Sequence, residues 1–119
     1  MHELALSIAV VETAVKHSAG RAVSVVALRV GGLRQVVPES LDFYFRVAAR
    51  DTVCAEARLE QDLVPARLRC NRCSRQWELK APTFRCPACA SVDVEVISGQ
   101  EFEVEWIEVE EEAGCTAHG

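Results

Sequence analysis

The chain has 119 residues, 50% of them hydrophobic and 26% charged, with a formal net charge of −5. That length suits one ordinary domain carrying a minor module. The acidic balance argues against nucleic acid as a partner, because neutralising phosphates calls for a basic stripe. No apolar run approaches the roughly 20 residues that span a bilayer, so no membrane span is expected. The N-terminal segment lacks the basic-then-apolar profile of a secretory signal. The six cysteines therefore read as thiols of a reducing compartment rather than a disulfide framework, and the expected location is cytoplasmic.

Glu3 to about His17 reads as a helix, with Leu4, Ile8, Val11 and Val15 on one face. Lys16 and His17 suit the negative end of its dipole, and Gly20 can end it. Ala22 to Val30 is an almost continuous apolar run, as expected of a strand buried on both faces; Gly31-Gly32 ends it. Pro38-Glu39-Ser40 starts a second helix. Leu41, Phe45 and Ala48 line one face of it, and Phe43, Tyr44 and Val47 widen that face, so cover on more than one side is expected.

From Ala55 the pattern alternates. Ala55, Ala57, Leu59 and Leu63 face one way, Glu56, Arg58, Glu60 and Asp62 the other, as in a half-exposed strand that Pro65 closes. A cysteine module runs from about Arg67 to Ile97, with short strands expected at Gln76–Leu79 and Val92–Val96. After Ser98-Gly99 comes a last strand, Glu101 to Val109. There Phe102, Val104 and Trp106 alternate with Glu101, Glu103 and Glu105, and a slip at Ile107 suggests a bulge.

The expected fold is α+β: a small mixed sheet of about three strands flanked by two helices, with an inserted four-cysteine zinc-ribbon domain. The strand–helix–strand unit predicts a parallel pair with a right-handed crossover. The main domain is then discontinuous, 1–65 and 99–112, with the ribbon at 66–98 and a frayed tail at 113–119.

Cys70-x-x-Cys73 and Cys86-x-x-Cys89 are separated by twelve residues. Two such knuckles supply four thiolates, the ligand set of a closed structural Zn²⁺ site. A thioredoxin-type dithiol needs a single pair at a helix start, and a catalytic zinc needs an open position that four cysteines do not leave. The insert has few large apolar side chains, so metal binding supplies much of its stability.

A second constellation is Met1-His2-Glu3. The terminal amine and the residue 2 amide close a five-membered chelate ring, and that amide and the imidazole close a six-membered one. Glu3 adds an amide or a carboxylate. Such a nitrogen-rich set suits Ni(II) or Cu(II), although a histidine at position 2 is more often a plain surface residue. Cys54 reads as a buried small hydrophobe. His17 reads as a helix-terminus residue, and Glu108 to Glu112 as a solvated strand end. Cys115 and His118 share a tail too loose to preorganise a site. No Gly-rich phosphate loop, Ser–His–Asp set or carboxylate pair stands out, so no enzyme is indicated. Arg67, Arg69, Arg72 and Arg75 motivate an alternative: a zinc-ribbon adaptor for protein or nucleic-acid contact without nickel.

Several motifs in order carry a resemblance: Met1-His2-Glu3-Leu4, Val30-Gly31-Gly32-Leu33, Val37-Pro38-Glu39-Ser40-Leu41, the two cysteine pairs with Cys86-Pro-Ala-Cys89, and Ser98-Gly99-Gln100-Glu101-Phe102. Together they resemble the HypA/HybF family of hydrogenase maturation factors over nearly the whole chain. The resemblance implies a nickel metallochaperone that helps insert Ni(II) into the large subunit of nickel–iron hydrogenase with the GTPase HypB. Carried over, Met1, His2 and Glu3 are the nickel site, and Cys70, Cys73, Cys86 and Cys89 hold structural zinc. A second copy of the chain is a further candidate partner. One departure is Ala90, which stands where many zinc knuckles have glycine.

Overall fold

The computed structural model of the chain describes residues 3–80 and 84–110. Its elements run α1 (Glu3–Ser18), β1 (Val23–Gly31), a 3-10 turn (Gly32–Arg34), α2 (Pro38–Ala48), β2 (Arg58–Val64), β3 (Arg67–Cys70), β4 (Gln76–Glu78), β5 (Val94–Ser98) and β6 (Phe102–Val109). They form two three-stranded sheets, ordered β2-β1-β6 and β4-β3-β5. The described residues of Met1–Arg29, Val36–Asp62 and Glu103–Gly119 make one compact unit, and those of Val30–Gln35 and Leu63–Phe102 the other.

In the first unit β1 is the central strand. Val23, Val25, Val26, Ala27 and Leu28 are all buried, as a near-continuous apolar run demands. The Val23 N–H bonds the Val53 carbonyl ahead of β2, while Arg29 reaches Asp62 near the end of β2. The two strands therefore run the same way, with α2 in the connection between them. At the other edge, the Glu110 N–H bonds the Ala22 carbonyl at 2.8 Å and the Ser24 hydroxyl bonds the Glu108 carbonyl, so the end of β6 lies beside the start of β1. Arg29 faces three carboxylates, Asp62, Glu103 and Glu105, at 3.7–4.0 Å. That gives the charged residue a place in an apolar strand; such exposed pairs add little stability.

The helices bury a different set of side chains from the one their spacing suggests. In α1 the covered residues are Glu3, Ser7, Val10, Val11, Ala14 and Ser18, whereas Leu4, Ile8 and Val15 are 46%, 43% and 39% exposed. The cause is the close packing of α1 against α2. Small residues let the backbones approach, and the buried Ser7 hydroxyl donates to the Leu41 carbonyl. Ile8 and Val15 are left lining an open groove with Val11, Glu12, Lys16, Ala48 and Thr52. In α2 only one face is covered, by Leu41 and Phe45, with Ala49 just beyond its end. Phe43 is 59% exposed and packs edge-to-face on Tyr44 at 5.2 Å, so cover on a second side is not found.

Strand β2 begins at Arg58, three residues later than Ala55, because Ala55 and Ala57 N–H groups are used in turns to Thr52 and Cys54 carbonyls. Leu59 is buried, but Leu63 is exposed. In β6 the alternation holds to Val104. Glu105 and Trp106 then both face solvent, and the inward phase resumes at Ile107 and Val109. Trp106 thus points outward, against the expected alternation.

In the second unit the short strand β3 was not foreseen. It carries Leu68 and Cys70 inward, both fully buried, and Arg67 and Arg69 outward. It pairs antiparallel with β4 (Leu68 opposite Trp77) and with β5 (Leu68 opposite Val96, Cys70 opposite Val94). Strand β5 starts at Val94 rather than Val92; the Asp93 carbonyl is taken by the Asn71 N–H.

Three stretches of chain meet where β1 ends. A Cβ on Gly31 would overlap the Gly99 carbonyl, and a Cβ on Gly99, at φ +110°, would lie 2.5 Å from the Ala66 Cα. Gly32, one residue on, has only ordinary contacts, the nearest at 3.5 Å. Gly31→Ala should therefore destabilise the protein by about 1–3 kcal/mol through overpacking, while Gly32→Ala should stay within about 0.5 kcal/mol of the parent. Urea denaturation of the two variants checks this; equal midpoints would contradict the crossing.

Candidate metal centre

The two knuckles repeat one hydrogen-bond pattern. The Cys70 N–H bonds the Arg75 carbonyl and the Ser74 N–H bonds the Cys70 carbonyl; likewise the Cys86 N–H bonds the Ser91 carbonyl and the Ala90 N–H bonds the Cys86 carbonyl. Each turn closes through a left-handed residue, Ser74 at φ 66° and Ala90 at φ 63°. This is the position where glycine avoids a Cβ penalty, so both knuckles hold a conformation their side chains disfavour.

The first cysteine of each turn is buried, Cys70 at 0% and Cys86 at 2%. Its sulfur lies under backbone donors: the Arg72 and Cys73 N–H groups point at Cys70 Sγ at 3.4 and 3.5 Å, and the Ala88 N–H at Cys86 Sγ at 3.4 Å. The second cysteines, Cys73 and Cys89, are exposed. The first knuckle is tied to the segment just before β5 by Asn71, whose side-chain amide donates to the Asp93 carboxylate at 3.1 Å.

All four sulfurs lie within 4.8 Å of one another. Two close approaches cross between knuckles, Cys70 to Cys89 and Cys73 to Cys86, both 3.6 Å. A tetrahedron of sulfurs at the usual Zn–S length of about 2.3 Å has edges of about 3.8 Å, so the cluster fits an ion of that kind and leaves no fifth position.

The electrostatics agree. The Cys73 N–H, with that of Arg72 behind it, pulls the Cys70 thiol down to about 6 against the upward push of burial. At Cys86 burial pushes upward, but the N–H groups of Cys89 and Ala88 and hydrogen bonds from the Cys73 and Cys89 thiols outweigh it, and the thiol is lowered. At Cys89 the Ser91 N–H favours the thiolate, yet the three neighbouring sulfurs and burial raise it to about 11. Four crowded sulfurs cannot all ionise unaided. A divalent cation at their centre removes that conflict.

The other expected site residues are placed differently. Met1 and His2 lie outside the described residues, as do Cys115, His118 and the tail 113–119. Glu3 opens α1, is 9% exposed, and its Oε2 accepts the Val37 N–H at 3.4 Å. Cys54 is fully buried, and burial pushes its thiol up, as befits an inert core residue. The arginines of the ribbon are interspersed with acids: Arg69 pairs with Glu95 at 3.1 Å, and Arg85 donates to the Ala90 carbonyl. Among the described residues, no helix is long and apolar enough to cross a membrane.

A family model described as hydrogenase/urease nickel incorporation, metallochaperone, hypA matches residues 1–109. The chain belongs to the HypA family. A relative named hydrogenase maturation factor HypA, from Geobacter metallireducens, is 38% identical over 92% of this chain and 100% of its own length. Another of that name, from Geotalea uraniireducens, is 40% identical over the same shares. The fold is similar to the solution structure of the nickel metallochaperone HypA from Helicobacter pylori, with a TM-score of 0.64 at 23% identity, covering 94% of this chain and 100% of that one. The HypA family is a non-catalytic one of nickel metallochaperones in hydrogenase maturation, and in this chain four cysteines cluster as a site of zinc type.

Cys73→Ala removes one of four ligands. We expect it to abolish stoichiometric zinc retention and to unfold β3–β5, while the buried cluster of Leu28, Leu41 and Phe45 keeps α1, α2 and β1 folded. Metal analysis with amide hydrogen exchange checks both halves; full zinc content in the variant would contradict the four-ligand centre.

Proposed function

We propose that this chain is a nickel chaperone that binds Ni(II) at its N-terminus and helps pass it to the large subunit of nickel–iron hydrogenase, with the GTPase HypB as its working partner. Met1, His2 and Glu3 are the nickel residues: the terminal amine, the local backbone amides and the His2 imidazole form the chelate. Glu3 adds an amide or its carboxylate, one oxygen of which accepts the Val37 N–H. Cys70, Cys73, Cys86 and Cys89 hold Zn²⁺ as a structural ion.

The observation that carries the reading is the extent of the family match. The model for nickel incorporation starts at Met1, so the N-terminal chelate lies inside the matched region rather than ahead of it. Chemistry supports it as well. A cargo ion needs a site that can be approached and emptied, and a chain end of nitrogen donors is one. A closed set of four thiolates is not. The nickel chemistry is assigned to the domain of 1–65 and 99–112, and the zinc to the ribbon of 66–98. Ribbon thiols need a reducing compartment, consistent with work in the cytoplasm.

The test is a calorimetric Ni²⁺ titration of zinc-loaded protein with a native N-terminus, of His2→Ala, and of a form extended by a few residues before Met1. The native form should bind one equivalent, His2→Ala should lose at least tenfold in affinity, and the extended form should do the same because its amine is displaced. Equal binding by all three would place the nickel site elsewhere.

A further inference from the structure

We propose that the four-cysteine cluster is a site of reversible oxidation by hydrogen peroxide. In it, disulfides form between the knuckles, Cys70 with Cys89 and Cys73 with Cys86, so that the metal leaves while the ribbon stays closed. The inference rests on the reading of this cluster as a zinc site.

Accessibility and the cross-knuckle approaches together point to the pairing. The second cysteine of each knuckle is exposed and the first is buried, so a small oxidant meets Cys73 and Cys89 first. Each exposed sulfur has a buried sulfur of the opposite knuckle 3.6 Å away: Cys86 for Cys73, and Cys70 for Cys89. Each knuckle thus supplies one sulfur that peroxide can reach and one that can resolve the product across the cluster.

The chemistry balances in two steps. An exposed thiolate attacks peroxide: an S–O bond forms, the O–O bond breaks, sulfur is oxidised by two electrons, and hydroxide leaves. The buried thiolate of the opposite knuckle then attacks the sulfenic sulfur: an S–S bond forms, the S–O bond breaks, and a second hydroxide leaves. Each bridge consumes one peroxide and two thiolates, and two bridges remove all four zinc ligands.

The pairing has a structural consequence. Bridges across the cluster tie together the same two segments that the metal ties, so β3 stays closed against β4 and β5. Bridges within each Cys-x-x-Cys turn would leave the second knuckle untethered from the first. A dithiol reductant reverses the oxidation and restores the ligand set.

The experiment treats the full zinc-loaded chain with hydrogen peroxide. Zinc is measured before treatment by elemental analysis, and its release is followed with a chromogenic chelator. The oxidised protein is then digested without reduction and its bridges are mapped by mass spectrometry. Arg72 lies between Cys70 and Cys73, so trypsin separates those two. Only Pro87 and Ala88 lie between Cys86 and Cys89, so a bridge within that turn gives an unlinked peptide lighter by two hydrogens. The expected result is release of one zinc per chain. The Cys70 and Cys73 peptides should both be linked to the Cys86–Cys89 peptide, with fragmentation assigning 70 to 89 and 73 to 86. Exchange protection of β3 should be retained, and zinc binding should return after reduction. Bridges within turns, bridges to Cys54 or Cys115, or zinc loss with only irreversible sulfinic acid would overturn the proposal. A chain that holds no zinc before peroxide refutes the zinc reading instead, and the bridge map of that metal-free protein then decides the pairing by itself.

Discussion

The arrangement of this chain depends on one crowded crossing. Strand β1 ends at Gly31, the cysteine insert begins at Ala66, and it returns at Gly99, and these three stretches run so close that Gly31 and Gly99 have no room for a Cβ. The crossing is also dense in hydrogen bonds. The Gly31 N–H bonds the Glu101 carbonyl at 2.6 Å, the Leu33 N–H bonds the Gly99 carbonyl, and the Leu79 N–H bonds the Ala66 carbonyl. The Ser98 hydroxyl donates to the Pro65 carbonyl, the Gly99 N–H donates to the Glu101 carboxylate, and the Arg34 guanidinium donates to the Gln100 carbonyl. Closing the insert's two ends costs loop entropy that grows only slowly with its length, and contacts at the crossing offset that cost. Here the ends are clamped by backbone, so the insert can fold as a unit of its own.

The two units are then stabilised by different physics. The first has an ordinary core: Leu28, Leu41 and Phe45 are nearly inaccessible to water, and burial of such side chains contributes roughly 1.5–3 kcal/mol each. Among the described residues, the second buries Val30 and Leu68 as its larger apolar side chains, with Cys70 and Cys86 also buried, while Phe84 and Val92 are exposed. So small an apolar interior cannot offset the backbone entropy of three strands and two knuckles. Moreover, both knuckles hold a non-glycine residue in left-handed backbone. A central cation compensates for both, because it draws free energy from four thiolates that the turn amides have already oriented.

Much of this was legible in the residues, and the misses have clear causes. Both helices, the strand run at Val23–Gly31 and the clustering of the four cysteines follow from period, capping residues and cysteine spacing. What periodicity could not give was which side of α1 meets α2. Leu4, Ile8, Val11 and Val15 form the more hydrophobic stripe, but the contact favours Ser7, Val10 and Ala14, because close approach of two helices rewards small side chains as well as apolar ones. Strand β3 was missed because four residues with two arginines carry little strand signal; its existence depends on β4 and β5 on either side. The crossing was visible only as two glycine motifs far apart in sequence, Gly31-Gly32 and Ser98-Gly99. Nothing local says that they meet.

On the proposed reading, the contrast between a retained and a transferred ion also explains why the sulfur-rich cluster is the one placed in the insert. A structural ion must be held while conditions change, which requires a saturated coordination shell and donors fixed by their own backbone. Both are met where Cys70 and Cys86 lie under amide N–H groups. A cargo ion must be given up, which requires vacant or weakly held positions and an approach for the recipient. No geometry satisfies both demands at once, so a protein with both tasks must keep them on separate donor sets. The sequence does so by chemistry as well as by position: thiolates for the ion that stays, and on the proposed reading an amine, amides and an imidazole for the ion that leaves.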